Sequence, residues 1–287
     1  MGVSWFDSDN IIFIKYHGGA GGFALRQIIG LSSGTDVKLW PEVDIRDDGA
    51  AHVMLDRNDI FTDISCSNRI GFREMISDAS GIESHDLPSA NIDKDVIDQL
   101  KLAYDRCWSF NGTPMQQAVL DRKIVISDHL PINLIRLLFP KATVIRLMRD
   151  IRYSQRCFFL KNLMQSPRYD LDTFDGYQHH ATSLDAMLYK KHFESSFQNY
   201  KKVIRHRMES IYREYADQGM ADHDVDGDAL FDPEKYQGQY LSLMKFCGLE
   251  TNLGLVNSFI KRYHQLQYKR LSYQPNPDWG WVKAAYF

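Results

Sequence analysis

The chain has 287 residues, of which 44% are hydrophobic, 25% charged and 13% aromatic, a globular make-up that excludes a disordered, collagen-like or low-complexity protein. Thirty-four Lys and Arg stand against 37 Asp and Glu, for a net charge of −3, which argues against a uniformly basic nucleic-acid binder. The four cysteines (Cys66, Cys107, Cys157, Cys247) lie far apart with no CxxC pair, so reduced thiols are expected rather than a disulfide framework or a zinc site.

The first strong element is the apolar run Ile11–Ile14, the mark of a buried parallel strand. The glycine-rich His17–Gly22 segment comes next, then a helix over Phe23–Leu31. Strand, glycine loop and helix in that order form a phosphate-binding arrangement. Val37–Trp40 and Ala51–Leu55 read as further strands, and 56–91 is polar and mixed. Ile92–Trp108 has the apolar spacing of a helix. A loop over Asn111–Pro114 breaks the chain, and Ile124–Ile126 is a second buried strand. Pro131 opens the short helix Ile132–Phe139, Pro140 ends it, and Thr143–Met148 is a third strand. Leu184–Gln218 is a charged helix or helix pair, and Val225–Phe231 a short strand. Tyr236–Cys247, closed by Gly248, and Leu255–Tyr268 are amphipathic helices. The tail Pro275–Phe287 is aromatic.

Strands alternating with helices predict an α/β fold with a doubly wound, mostly parallel sheet. With no repeat and no clear linker, residues 1–287 are taken as a single domain. No basic start with a long apolar run opens the chain, and no stretch reaches the length of a membrane span, so a cytoplasmic location is expected.

In such sheets ligands sit beyond the carboxyl ends of the strands, which directs attention to the residues just past Ile14, Ile126 and Met148. The glycines of the first loop let backbone N–H groups turn toward an anion, although a tight strand-to-helix turn uses the same residues. The loop lacks the Lys-Ser/Thr pair of a kinase or ATPase; Phe23 and Ala24 come after the last glycine. After the second strand comes Ser127-Asp128-His129-Leu130-Pro131, where a histidine projecting into the crevice is a candidate general base and a helix-capping loop is the plain alternative. After the third strand comes a local excess of positive charge: Arg146, Arg149, Arg152 and Arg156 against Asp150. Guanidinium groups bind phosphate in a bidentate fashion, whereas most charge runs are solvated helix faces. The run Asp222-x-Asp224-x-Asp226-Gly227 begins like a calcium loop but has Pro233 at its twelfth position, so no metal is expected there.

Taken in order, these pieces resemble the sulfotransferases that use 3′-phosphoadenosine 5′-phosphosulfate (PAPS). The segments that carry the likeness are the glycine loop, Asp128-His129-Leu130-Pro131, Phe139–Asp150 and Ala229–Glu250. The resemblance implies the P-loop-like architecture of that family, with PAPS as the donor, no metal, and a small-molecule or glycan acceptor offering a hydroxyl or amine. It implies His129 as the general base. It places the 5′-phosphosulfate on His17, Gly18, Gly19, Ala20, Gly21, Gly22, Phe23 and Ala24. The 3′-phosphate falls to Arg149 with Ser154 or Cys157, and Lys269-Arg270 is a loose counterpart of a late basic loop. The chain departs from the family pattern in lacking the loop lysine, in having Ser127 where a lysine precedes the histidine, and in having Ile151 where a proline comes after Arg-Asp.

Two other readings stay open. Gly19-x-Gly21-x-x-Ala24, with Glu42 further on, suits an NAD(P)-dependent oxidoreductase. The missing loop lysine suits a non-catalytic, nucleotide-binding descendant of the sulfotransferase fold.

Overall fold

A computed structural model describes residues 4–32, 60–61, 65–66, 72–82, 87, 92–105, 108–110, 113–121, 123–164, 208–216 and 219–271. In chain order, β1 (Ile11–Tyr16) leads through the glycine loop to α1 (Gly22–Ser32). Next come β2 (Ile60–Phe61), β3 (Ser65–Cys66), α2 (Phe72–Ser80), α3 (Lys94–Tyr104), β4 (Trp108–Phe110), β5 (Thr113–Pro114) and α4 (Met115–Asp121). The central unit continues with β6 (Lys123–Asp128), α5 (Ile132–Leu138), β7 (Thr143–Met148) and α6 (Ile151–Met164). Helical residues 208–215 form α7. The described chain closes with β8 (His223–Asp226), α8 (Gly227–Leu230), α9 (Tyr236–Cys247) and α10 (Leu253–Leu271).

The strands β2-β6-β1-β7-β8 lie side by side, and every pairing among them is parallel. β1 is central, with Ile11 opposite Ile124 of β6 and Ile12 opposite Thr143 of β7. All six of its residues are buried, which explains why it reads as an unbroken apolar run. Alternate residues feed two cores. Ile11, Phe13, Ile124, Ile126 and Val144 pack with residues of α2 to α5 on one face. Ile12, Ile14, Tyr16, Val125, Ile145, Leu147 and Val225 pack with α1, α9 and α10 on the other. The expected doubly wound parallel α/β sheet is therefore present, and each large apolar side chain it covers contributes about 1.5–3 kcal/mol.

Several boundaries differ from the sequence reading. The helix expected over Ile92–Trp108 ends at Tyr104, and Trp108 begins β4, which pairs antiparallel with β3 and with β5, so that Thr113 and Pro114 of the expected loop belong to a small antiparallel sheet. The strand expected at Val225–Phe231 runs instead over His223–Asp226 and then becomes α8. Its carboxylates are tolerated because β8 lies beside β7: Asp224 forms a bidentate pair with Arg146 at 2.7 and 2.9 Å. Asp222 binds Arg136 at 2.6 Å and Asp226 caps α8. The acidic run is thus a strand edge and a helix cap. Gly248, at φ +61°, closes α9 in the left-handed conformation that the sequence reading gave it. The strands proposed at Val37–Trp40 and Ala51–Leu55, and the tail Pro275–Phe287, lie outside the described residues.

Candidate functional site

The carboxyl ends of β1, β6 and β7 carry the glycine loop, His129 and Arg149. Within the loop, Gly19 and Gly21 adopt φ of +83° and +96°, values that L side chains rarely take. The positions where their Cβ atoms would stand are filled by protein. At Gly19 a Cβ would lie 2.0 Å from the Ser154 carbonyl oxygen, and at Gly21 it would lie 2.8 Å from the Tyr263 hydroxyl and 2.9 Å from the Phe231 ring. At Gly22 it would strike the Tyr16 ring at 2.2 Å. These glycines let α6, α10 and α8 close onto the turn. The Ala20 amide donates to the His17 carbonyl at 3.0 Å, tightening it further.

One buried carboxylate ties the loop to the histidine. Glu214 of α7 accepts a hydrogen bond from the Gly18 amide at 3.0 Å through Oε2. The same oxygen stands 3.1 Å from His129 Nδ1, and the Glu214 side chain is only 4% exposed. That contact is close but off the line of a hydrogen bond, so Nδ1 is buried without an aligned partner among the described residues. The ring of His129 rests on Tyr16, with centroids 4.2 Å apart. Lys15, itself fully buried, donates from Nζ to the His129 carbonyl at 3.1 Å. The imidazole keeps 28% of its exposure. Since Nδ1 is the buried nitrogen, the Nε2 edge is the one turned outward.

His17 begins the loop as a buried neutral imidazole. Its Nε2 lies 3.0 Å from Ser154 Oγ, and its ring meets Tyr215 edge-on at 5.2 Å. Burial pushes its pKa down to about 4; the Lys15, His129 and Arg149 charges push the same way, and Glu214 opposes them. Arg149 is buried. Its Nε donates to Asp228 at 3.0 Å, and its guanidinium lies over Tyr153 at 3.8 Å and Phe231 at 5.2 Å. Asp228 also accepts from the Asp150 amide at 2.9 Å, fixing the start of α6. Arg149 Nη1 is buried with no hydrogen-bond partner among the described residues.

The structure therefore gathers His17, the glycines, His129, Arg149 and Ser154 at one edge of the sheet. Cys157 lies one turn past Ser154, its thiol 3.3 Å from Gln267 Oε1 and in the neighbourhood of Tyr153 and Arg149. Ala24, in the first turn of α1, is buried, whereas Phe23 is exposed, with Arg26 across its ring at 4.8 Å. Lys269 and Arg270 belong to the last turns of α10, and their side chains lie outside the described residues, as does Glu42. Glu214 and Asp228 were not found by sequence reasoning. Glu214 sits in a charged stretch with no local sign of burial, 196 residues from its Gly18 partner. Among the described residues no group of three His, Cys, Asp or Glu side chains is placed to hold a metal ion. A groove lined by Asp7, Asn10, Asp105, Val119, Leu120 and Lys141 lies at the amino ends of β1 and β7, the opposite edge of the sheet.

The fold is thus of the α/β class, with a parallel sheet covered on both faces and a cluster of polar groups at its carboxyl edge. No protein-family model matches the chain, and no curated protein matches it. Among solved structures the chain is similar to the sulfotransferase domain of the Synechococcus PCC 7002 olefin synthase. The two share 13% identity over 96% of this chain and 84% of that chain, with a TM-score of 0.35.

Proposed function

We propose that the chain transfers a sulfuryl group from PAPS to a hydroxyl or amine acceptor, with His129 as the proton acceptor. The observation that carries this reading is the meeting, at three adjacent strand ends, of a glycine turn, a carboxylate-backed imidazole and a buried guanidinium. The order of motifs resembling PAPS-dependent sulfotransferases supports the choice of donor. Arg149 Nη1, buried and without a hydrogen-bond partner among the described residues, fits an anionic oxygen of the bisphosphate. The Gly18 amide is engaged by Glu214, so Gly19, Gly21 and Gly22 are the loop's remaining candidate donors to the 5′ group.

PAPS supplies an activated sulfuryl group and an adenosine bisphosphate leaving group. His129 takes the acceptor proton at its outward Nε2. Lys15 holds the His129 backbone, and Tyr16 limits the tilt of its ring. Arg149 and the start of α1 present positive charge where negative charge develops on the leaving group.

The test is calorimetric titration with 3′,5′-bisphosphoadenosine and with NAD(P), then a transfer assay with labelled donor across hydroxyl and amine acceptors. Binding of the bisphosphate with transfer, and a loss of about 10²–10⁴-fold in turnover for His129→Ala with nucleotide binding retained, is the expected outcome. NAD(P) binding in place of the bisphosphate would overturn it. The carboxylate on the Gly18 amide favours a second reading, a non-catalytic nucleotide-binding protein, which predicts binding without transfer to any acceptor.

A further inference from the structure

Glu214 touches both the glycine loop and the candidate base, and nothing in the motif pattern assigns it a role. We infer that Glu214 is the positioning residue of His129, holding the neutral imidazole as its Nδ1–H tautomer so that the bare Nε2 faces outward. This rests on the proposed role of His129, but the geometry behind it does not depend on any donor or acceptor.

A neutral imidazole carries one proton, and the group facing each nitrogen decides which nitrogen keeps it. Nδ1 faces a buried carboxylate oxygen at 3.1 Å. A carboxylate accepts and does not donate, so Nδ1–H is favoured there and a bare Nδ1 lone pair is opposed. A small rotation of the ring converts the close contact into an aligned charge-assisted hydrogen bond, and such pairs in unliganded sites commonly tighten on binding. The carboxylate is itself held in place. Gly18 N donates to Oε2 at 3.0 Å, and Ser210 Oγ lies 3.4 Å from Oε1. Lys15 fixes the His129 backbone through its carbonyl, and Tyr16 packs against the ring. With Nδ1 protonated, the free lone pair lies on the nitrogen at the exposed edge, where an acceptor hydroxyl or amine approaches.

The test is nitrogen-15 NMR of the imidazole side chains in the full-length wild-type protein, with the His129 signals assigned by their loss in His129→Gln. In the neutral imidazole, the expected result is a protonated Nδ1 and a bare Nε2. Glu214→Leu removes the one oxygen that faces both the Gly18 amide and Nδ1, so the tautomer should shift toward Nε2–H. Its kcat should fall by about 10²–10⁴-fold, the range spanned by base removal and by loss of the correct tautomer, with KM for the nucleotide changing far less. Wild-type His129 found chiefly as Nε2–H would overturn the inference, and this result does not depend on any Glu214 variant folding. A wild-type-like tautomer in a folded Glu214→Leu would overturn it too. Should the protein bind no bisphosphate while the tautomer behaves as described, the donor fails and the pairing stands.

Discussion

Replacing Gly19 by alanine brings a methyl group to within 2.0 Å of the Ser154 carbonyl oxygen and 2.7 Å of its carbon, at a φ of +83°. The left-handed backbone alone costs a non-glycine residue about 1–2 kcal/mol. The struck atoms are helix backbone, whose carbonyl cannot swing aside as a flexible side chain would. Forcing a methyl group against them adds about 1–3 kcal/mol of overpacking. The total of about 2–5 kcal/mol is a large part of the stability of an ordinary domain, about 5–15 kcal/mol. Gly238, early in α9, is the matched control: a Cβ there meets nothing within 4 Å, and alanine gains up to about 1 kcal/mol of helix propensity. Urea unfolding of the two variants should show a marked loss for Gly19→Ala and none for Gly238→Ala. A Gly19→Ala protein within about 0.5 kcal/mol of the parent, the range of ordinary surface changes, would refute the close packing of the loop on α6.

The same contacts predict three further outcomes. His17 has a pKa of about 4 in the fold against 6.5 in the unfolded chain, so above pH 6.5 its contribution is complete. Below that the unfolded chain takes up a proton the folded one refuses, and stability falls by about 3 kcal/mol in all between pH 6.5 and 4, then levels off; His17→Gln should flatten that slope in denaturation series across the window, and an unchanged slope would count against it. Asp228→Ala removes the acceptor of Arg149 Nε and of the Asp150 amide and should cost about 1–3 kcal/mol, measured by chemical denaturation; a neutral change would mean that Arg149 finds another partner. Burial pushes the Cys247 thiol up to about 11, so mass spectrometry after brief alkylation near neutral pH should find it unlabelled in the native protein and labelled in urea.

How much the sequence disclosed depends on the range of the forces involved. Thr143–Met148 is read with both ends correct because an apolar run is bounded by Pro140 on one side and Arg149-Asp150 on the other. Tyr236–Cys247 is equally legible, since its periodicity ends in a glycine that takes the left-handed turn. β8 is misplaced by local reading because Asp224 and Asp226 look unlike strand residues until Arg146 is laid beside them. At the site, the loop, His129 and Arg149 are visible because each comes directly after a buried strand. Glu214 and Asp228 are not. Each meets its partner from another part of the chain, and nothing in the neighbouring residues marks one acid among 37 as buried on a backbone amide. The glycine pattern suggested room for an anion; the missing Cβ atoms are equally required by Ser154, Phe231, Tyr263 and Tyr16.

The most direct measurement of the central claim is calorimetric titration of 3′,5′-bisphosphoadenosine into the wild-type protein and into Arg149→Lys. Lysine keeps the charge but gives up the fork of donors that reaches both Asp228 and an anionic oxygen. The account predicts saturable one-to-one binding to the wild type, weakened at least about tenfold in the variant, which corresponds to about 1.4 kcal/mol, the size of one hydrogen bond to a charged group. No binding to the folded wild type, or equal affinity in the two proteins, would contradict it.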